Sequence, residues 1–275
     1  MNLPMQIAFL GGGQMARALI QGLLRQGVKS AQLRVGDPVE AQRASLTLEF
    51  GVSACADNHL AVADATVVVL AVKPQQLLPL LRELAPTLLR RRPLLVSIAA
   101  GLRIATLRAC CPELPIVRAM PNRPALVGAG ATALYAEADL MPVQRAETEA
   151  LLGAVGRALW VPRESDLDIV TALSGSGPAY FFLLAEHLAA AAVAQGLDPT
   201  TAQILATQTL YGAGALAAET LSLAQQRAAV TSQGGTTAAA LATLEQNGFD
   251  TLIRAAMAAA TRRSVELATE LGSIG

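Results

Sequence analysis

The sequence predicts an α/β protein: a parallel, doubly wound sheet domain followed by an all-helical one. Three observations carry this. Short apolar, β-branched runs alternate with helically spaced segments through the first half of the chain. A glycine-rich turn joins the first strand to the first helix. Beyond about Ser165, strand signals vanish and alanine-rich helical segments take over.

Taken in order, Ile7–Leu10 is a short apolar strand. Met15–Arg25 places Met15, Leu19, Leu23 and Leu24 at helical spacing and stops at Gly27. Gln32–Val35 reads as the second strand. Thr66–Ala71, TVVVLA, is apolar and β-branched, as in a strand covered on both faces. Pro74 opens a helix to about Leu89, and Leu94–Ile98 and Ile116–Met120 are strands on either side of Gly101–Cys111. In the helical part, Gly196-Leu197-Asp198-Pro199 supplies a helix stop, an N-cap and a first-turn proline. Asn247-Gly248 ends another helix and Asp250 starts its successor. The boundary falls at Pro162–Ser165, dividing residues 1–163 from 164–275.

The 275 residues carry zero formal net charge, and no basic run exceeds Arg90-Arg91-Arg92, which argues against a nucleic-acid partner. The most apolar stretch, Ala179–Val193, contains Glu186 and His187 and is too short for a membrane span. The first strand begins with no basic leader before it, so a cytoplasmic protein is expected. Cys55, Cys110 and Cys111 have no metal-binding spacing and read as reduced packing residues; no metal site is expected. The only histidines are His59 and His187, and the only lysines Lys29 and Lys73. Any mechanism must therefore work largely without the usual acids and bases. His187 and Glu186 lie well inside a helix and read as packing or interface groups.

The turn FLGGGQMA places Gly11, Gly13 and Ala16 on the pattern G-x-G-x-x-G/A in a strand–turn–helix context. Glycine permits the tight turn and lets backbone amides approach a pyrophosphate, while the helix N-terminus favours negative charge. A Rossmann-type dinucleotide-binding domain is expected. Asp37, at the end of the second strand, has two readings: an acceptor for ribose hydroxyls, favouring NAD, or a plain helix cap. Arg34 and Arg43 lie near enough in sequence to offset it for NADP, so NADPH and NADH both stay open. Ala71 leaves room at a strand end, and Lys73 there is either a cofactor contact or a solvated charge.

Six strings in order, LGGGQMA, LAVKPQ, SIAAG, RAMPNRPA, SGSGPAY and TSQGGTT, resemble the pyrroline-5-carboxylate reductase family over nearly the whole chain. The resemblance implies reduction of cyclic 1-pyrroline-5-carboxylate to L-proline by NADPH or NADH, the last step of proline biosynthesis. It also implies a helical dimerisation domain, with homodimers assembling into larger rings. Family cofactor contacts fall on Leu10, Gly11, Gly12, Gly13, Gln14, Met15, Asn58, Ala71, Val72, Lys73, Pro74, Ile98, Ala99 and Ala100. Substrate contacts fall on the Ser232–Thr237 loop (Ser232, Gly234, Gly235, Thr236, Thr237), with Glu164 as a further one. Three departures stand out: Gln233 where many relatives have proline, Arg123 within MPNRP, and Asp37 where NADPH-preferring members often have serine.

The TSQGGTT loop also has a reading of its own. It precedes a good helix, so it is either an ordinary helix cap with a flexible approach or a set of backbone N–H groups at a helix N-terminus, a natural seat for a carboxylate. The two glycines keep Cβ atoms out of the way. Thr237 is the expected hydroxyl partner of the ring nitrogen and the one catalytic residue. Alternatives are a reductase of another cyclic imino acid and a non-catalytic NAD(P)-binding regulatory protein. A β-hydroxyacid dehydrogenase would need a lysine in the helical part, and none follows Lys73.

Overall fold

The computed structural model describes residues 5–273. It contains eight strands in one sheet, ordered β3-β2-β1-β4-β5-β6-β7-β8. These are β1 Ile7–Leu10, β2 Leu33–Gly36, β3 Ser53–Cys55, β4 Val67–Leu70, β5 Leu94–Ser97, β6 Ile116–Met120, β7 Gly130–Ala136 and β8 Gly156–Trp160. All neighbouring pairs are parallel except β6 with β7. The intervening helices are α1 Gln14–Arg25, α2 Glu40–Phe50, α3 Asn58–Val62, α4 Pro74–Arg91, α5 Ile104–Cys110 and α6 Pro142–Gly153.

Strand alternation splits the core into two layers. Ile7, Phe9, Val67, Val69, Val96 and Val117 pack with Leu19 and Leu23 of α1 on one face. Ala8, Leu10, Val68, Leu70 and Leu95 pack with Leu77, Leu81, Leu84 and Leu88 of α4 on the other. Burial on both faces explains the uninterrupted apolar strands. Sequence reading placed five strands close to these bounds and had no signal for β3, β7 and β8. The antiparallel β7 also departs from the wholly parallel sheet that was expected.

After β8 the chain is helical among the described residues: α7 Asp166–Val170, a π-helical turn at Thr171–Gly175, α8 Gly177–Ala194, α9 Pro199–Ala217, α10 Leu223–Ala229, α11 Thr236–Gln246 and α12 Phe249–Ser273. The chain divides into two compact units. One runs up to Gly175 and takes back the residues from Ala260; the other is Ser176–Ala259. In the first unit, the returning part of α12 is pinned by buried Ala268 and Leu271 and by the Ser264 hydroxyl, which donates to Asp168 Oδ1 at 2.8 Å. Gly101, at φ +80°, keeps clear of that helix: a Cβ there would lie 2.8 Å from Leu271 Cδ1.

In the second unit, α8 carries apolar residues on every side yet buries only Gly177 and Ala189. Phe181 and Phe182 are 61% and 60% exposed. Asp166–Ala194, which begins in the first unit, is long and apolar enough, by length and composition, to cross a bilayer, although Glu186 and His187 lie within it.

Candidate active site

The carboxyl ends of four strands share one edge, where the register aligns Gly36, Leu10, Leu70 and Ser97. Backbone bonds extend it: Gly11 N–H donates to Gly36 O and Ala71 N–H to Leu10 O, both at 2.8 Å, and Ile98 N–H to Leu70 O at 3.2 Å. In doubly wound sheets, ligands sit beyond this edge.

The three glycines of the first turn serve different ends. Gly11 has φ +98°, and a Cβ on it would lie 2.8 Å from the Ala71 carbonyl oxygen. At Gly12 a Cβ would lie 2.6 Å from Leu46 Cδ1. Both are buried and dictated by the protein's own packing. Gly13 has an ordinary φ of −68°, is exposed, and has no heavy atom within 4 Å of its Cβ position. It is the N-cap of α1, with no side chain capping the first-turn amides. Packing therefore does not explain Gly13, and the α1 N-terminus is left open to an anion. The cradle fits a dinucleotide pyrophosphate.

Every residue expected at the cofactor lies on this edge. Leu10 is buried beneath the turn, Gln14 is exposed and Met15 half-buried at the start of α1. Asp37, 8% exposed, accepts from Gly12 N–H through Oδ2 and from Val39 N–H through Oδ1, both at 2.8 Å. Asn58 opens α3, and its Oδ1 occupies the space beside Gly36, only 2.2 Å from where a Cβ would stand. Half-buried Ala71 and Val72 lead to Lys73, the N-cap of α4, and to Pro74 in its first turn. Lys73 is exposed, and its ammonium has no partner among the described residues. Half-buried Ile98, buried Ala99 and exposed Ala100 follow β5. Ser97 Oγ is buried and lacks a hydrogen-bond partner among the described residues.

Glu164 belongs to a buried ionic network that sequence reading missed. Its Oε1 accepts from Arg118 Nη1 and from Ile104 N–H, both at 2.7 Å. Arg103 pairs with Asp168 at 2.6 Å and also donates to Glu164 O at 3.4 Å. Burial pulls the Arg118 guanidinium below its usual range, while the hydrogen bond and charge of Glu164 oppose that shift. The one signal in sequence was an arginine inside the apolar strand IVRAM. Asn122, also unforeseen, donates to Ser174 O at 3.0 Å and accepts from Ala131 N–H at 2.8 Å, tying the π-helical turn to β7. Gly175 in that turn has Met120 Cε 2.8 Å from its Cβ position, which accounts for one glycine of SGSGPAY.

The Ser232–Thr237 loop lies in the second unit. Gly234 has φ +71° and open space around its Cβ position, so the turn itself requires glycine. Gly235 has φ −80°, and a Cβ there would lie 2.5 Å from Ser232 Oγ. The Gly235 amide bonds Ser232 O at 3.1 Å and is not free, contrary to the simplest reading of the loop. Gly235 is the N-cap of α11, no side chain caps that helix, and Ser232 and Thr236 are exposed. The first-turn amides of Thr236, Thr237 and Ala238 are thus left unpaired, as helix geometry dictates. The hydroxyl of half-buried Thr237 has no partner among the described residues.

A doubly wound sheet with an uncrowded glycine turn at its carboxyl edge, followed by helices, defines a dinucleotide-dependent oxidoreductase. Residues 6–101 match a family model described as NADP oxidoreductase, coenzyme F420-dependent, and residues 164–267 match pyrroline-5-carboxylate reductase dimerisation. The chain is 47% identical to a pyrroline-5-carboxylate reductase of Pseudomonas aeruginosa, over 99% of this chain and 100% of that protein. It superposes on the pyrroline-5-carboxylate reductase of Coxiella burnetii with TM-score 0.93 and 38% identity, covering 96% of this chain and 99% of that one. The Plasmodium falciparum pyrroline carboxylate reductase, solved with NADP bound, gives TM-score 0.81 and 29% identity over 96% and 98%. The chain belongs to the pyrroline-5-carboxylate reductase family.

Proposed function

We propose that the protein reduces 1-pyrroline-5-carboxylate to L-proline with NAD(P)H, the final step of proline biosynthesis. One observation carries this reading. A chain aligned end to end with the Pseudomonas aeruginosa reductase has both an open glycine turn at its sheet edge and an uncapped helix N-terminus after Gly235.

The residues divide the work. Leu10–Met15 and Asn58 hold the dinucleotide phosphates and ribose, and Ala71–Pro74 with Ile98–Ala100 border the nicotinamide. When bound, the reduced nicotinamide supplies a hydride. The amides of Thr236 and Thr237, with the Ser232 hydroxyl, hold the substrate carboxylate without a formal positive charge. Thr237 Oγ1 hydrogen-bonds the ring nitrogen and fixes the face presented for reduction. A protonated imine is already electrophilic, so the scarcity of histidine and lysine is no obstacle. Glu164 acts on this chemistry through its hold on Ile104 and Arg118.

Residues 1–163 form the dinucleotide-binding domain and 164–275 the dimerisation and substrate-binding domain of a cytoplasmic homodimer that builds a larger ring. The exposed apolar surface of α8 supports a partner chain there. The test is loss of absorbance at 340 nm on adding five-membered and, separately, six-membered cyclic imino acids, with each cofactor. No imine-dependent loss would leave a non-catalytic nucleotide-binding protein. Faster loss with the six-membered ring would reassign the substrate.

A further inference from the structure

We propose that Asp37 makes this chain select a dinucleotide with a free 2′-hydroxyl over one bearing a 2′-phosphate, so that NADH is its preferred reductant. The inference rests on reading the glycine turn as the dinucleotide site and adds which dinucleotide that site takes.

Asp37 follows β2 directly, at the sheet edge where the adenosine ribose of a bound dinucleotide falls. Its carboxylate is held at both ends, Oδ2 by Gly12 N–H and Oδ1 by Val39 N–H. Swinging away from an incoming phosphate would break two hydrogen bonds to backbone and leave both amides unpaired. The turn is built around the carboxylate as well: a Cβ on Gly12 would lie 3.2 Å from Oδ2. A carboxylate has about four acceptor positions, so roughly one on each oxygen stays free for a ribose hydroxyl donor. A 2′-phosphate brings only acceptors and a charge of about −2 against a fixed negative group.

Two arginines stand near enough in sequence to reverse this. Arg34 is engaged elsewhere, its Nη1 lying 3.4 Å from both Asp64 Oδ2 and Leu60 O. Arg43 Nη1 donates to the backbone oxygens of Asp37 and Pro38, at 2.9 and 2.8 Å. That guanidinium braces the peptide carrying Asp37; its hydrogen bonds hold the acid in place.

The test is calorimetric binding of two probes that need no turnover, ADP-ribose and 2′-phospho-ADP-ribose, to the whole protein at moderate salt. The expected result is ADP-ribose binding tighter by at least ~30-fold, as an uncompensated close contact between like charges implies. Asp37→Ser reduces that ratio to within about threefold of unity, and Arg43→Ala leaves 2′-phospho-ADP-ribose no weaker than before. Equal or tighter binding of the phosphorylated probe by the unaltered protein overturns the proposal while leaving the dinucleotide site intact. Selective loss of the phosphorylated probe in Arg43→Ala does the same, by making Arg43 a phosphate reader. Failure of both probes to bind removes the dinucleotide site itself and the proposal with it.

Discussion

Glu164 Oε1 accepts two hydrogen bonds of 2.7 Å, one from the buried Arg118 guanidinium and one from the Ile104 amide at the start of α5. One carboxylate oxygen therefore neutralises a cation in the sheet and ends the segment that begins at Ile98. Removing it strands a buried charge. Glu164→Ala is expected to cost about 3–5 kcal/mol in chemical denaturation, the usual toll for breaking one side of a buried pair. Glu164→Gln, which keeps an oxygen acceptor, costs less. If both variants keep full stability while KM for the imine rises, Glu164 touches substrate directly and the network is incidental.

The glycines of the first turn separate folding from binding. Gly11→Ala puts a Cβ 2.8 Å from the Ala71 carbonyl at φ +98°, so a loss of at least ~2 kcal/mol in stability is expected. Gly13→Ala meets nothing in the protein, and its stability stays within ~1 kcal/mol of the parent. Dinucleotide affinity, measured by fluorescence titration, is nevertheless expected to fall at least ~10-fold, because the methyl group would stand in the proposed path of the pyrophosphate. Unchanged affinity in Gly13→Ala would place the phosphates elsewhere.

Thr237 is the cleanest probe of the proposed carboxylate-binding role of the Ser232–Thr237 loop. Its hydroxyl has no partner among the described residues, and alanine is the better helix former, so Thr237→Ala should fold as stably as the parent. The value of kcat/KM is expected to fall by about 10²-fold. A parental value would remove this hydroxyl from the mechanism.

Local pattern made part of this legible, and tertiary context hid the rest. Strands β1 and β4 announced themselves because apolar or β-branched side chains fill both faces. β3 has three residues, and β7 and β8 are rich in alanine and glycine; only their neighbours in the sheet make them strands. Asp37 was visible as a candidate, but its bond to Gly12 joins residues 25 apart and depends on the folded turn. The link from Ser264 to Asp168 spans 96 residues, beyond any local signal. Within TSQGGTT both glycines were read as clearing space for a ligand. Backbone angle explains Gly234 and the Ser232 side chain explains Gly235, distinctions a sequence does not carry.

The buried thiol of Cys111 makes stability depend on alkaline pH. Burial, with a smaller contribution from Cys110, pushes it up to about 11 from an ordinary value of 9.0. Between those values the unfolded chain loses a proton that the native protein keeps, so stability falls as pH rises. The contribution is fully present below pH 9 and is lost through pH 11, at no more than about 1.4 kcal/mol per pH unit. Denaturation of the parent and of Cys111→Ala should therefore show a gap that narrows by up to ~2 kcal/mol over that interval. A constant gap would mean that the thiol titrates alike in both states.

A helix that is apolar all round is normally buried, yet α8 leaves Phe181 and Phe182 more than half exposed in the single chain. Two occupants suit such a surface: a lipid bilayer or a second copy of the chain. Asp166–Ala194 passes for a membrane span on length and composition, but Glu186 and His187 would then sit in hydrocarbon, an expensive place for ionisable groups. The match of residues 164–267 to a dimerisation family favours the second copy. Detergent-free light scattering should therefore find a stable species of at least two chains. Burying a phenylalanine is worth about 1.5–3 kcal/mol, and a two-fold interface counts each residue twice. Replacing Phe181 and Phe182 together with glutamate should raise the dissociation constant by at least ~10²-fold and release monomers. If the parent instead required detergent and sedimented with lipid vesicles, the bilayer would be the occupant of α8.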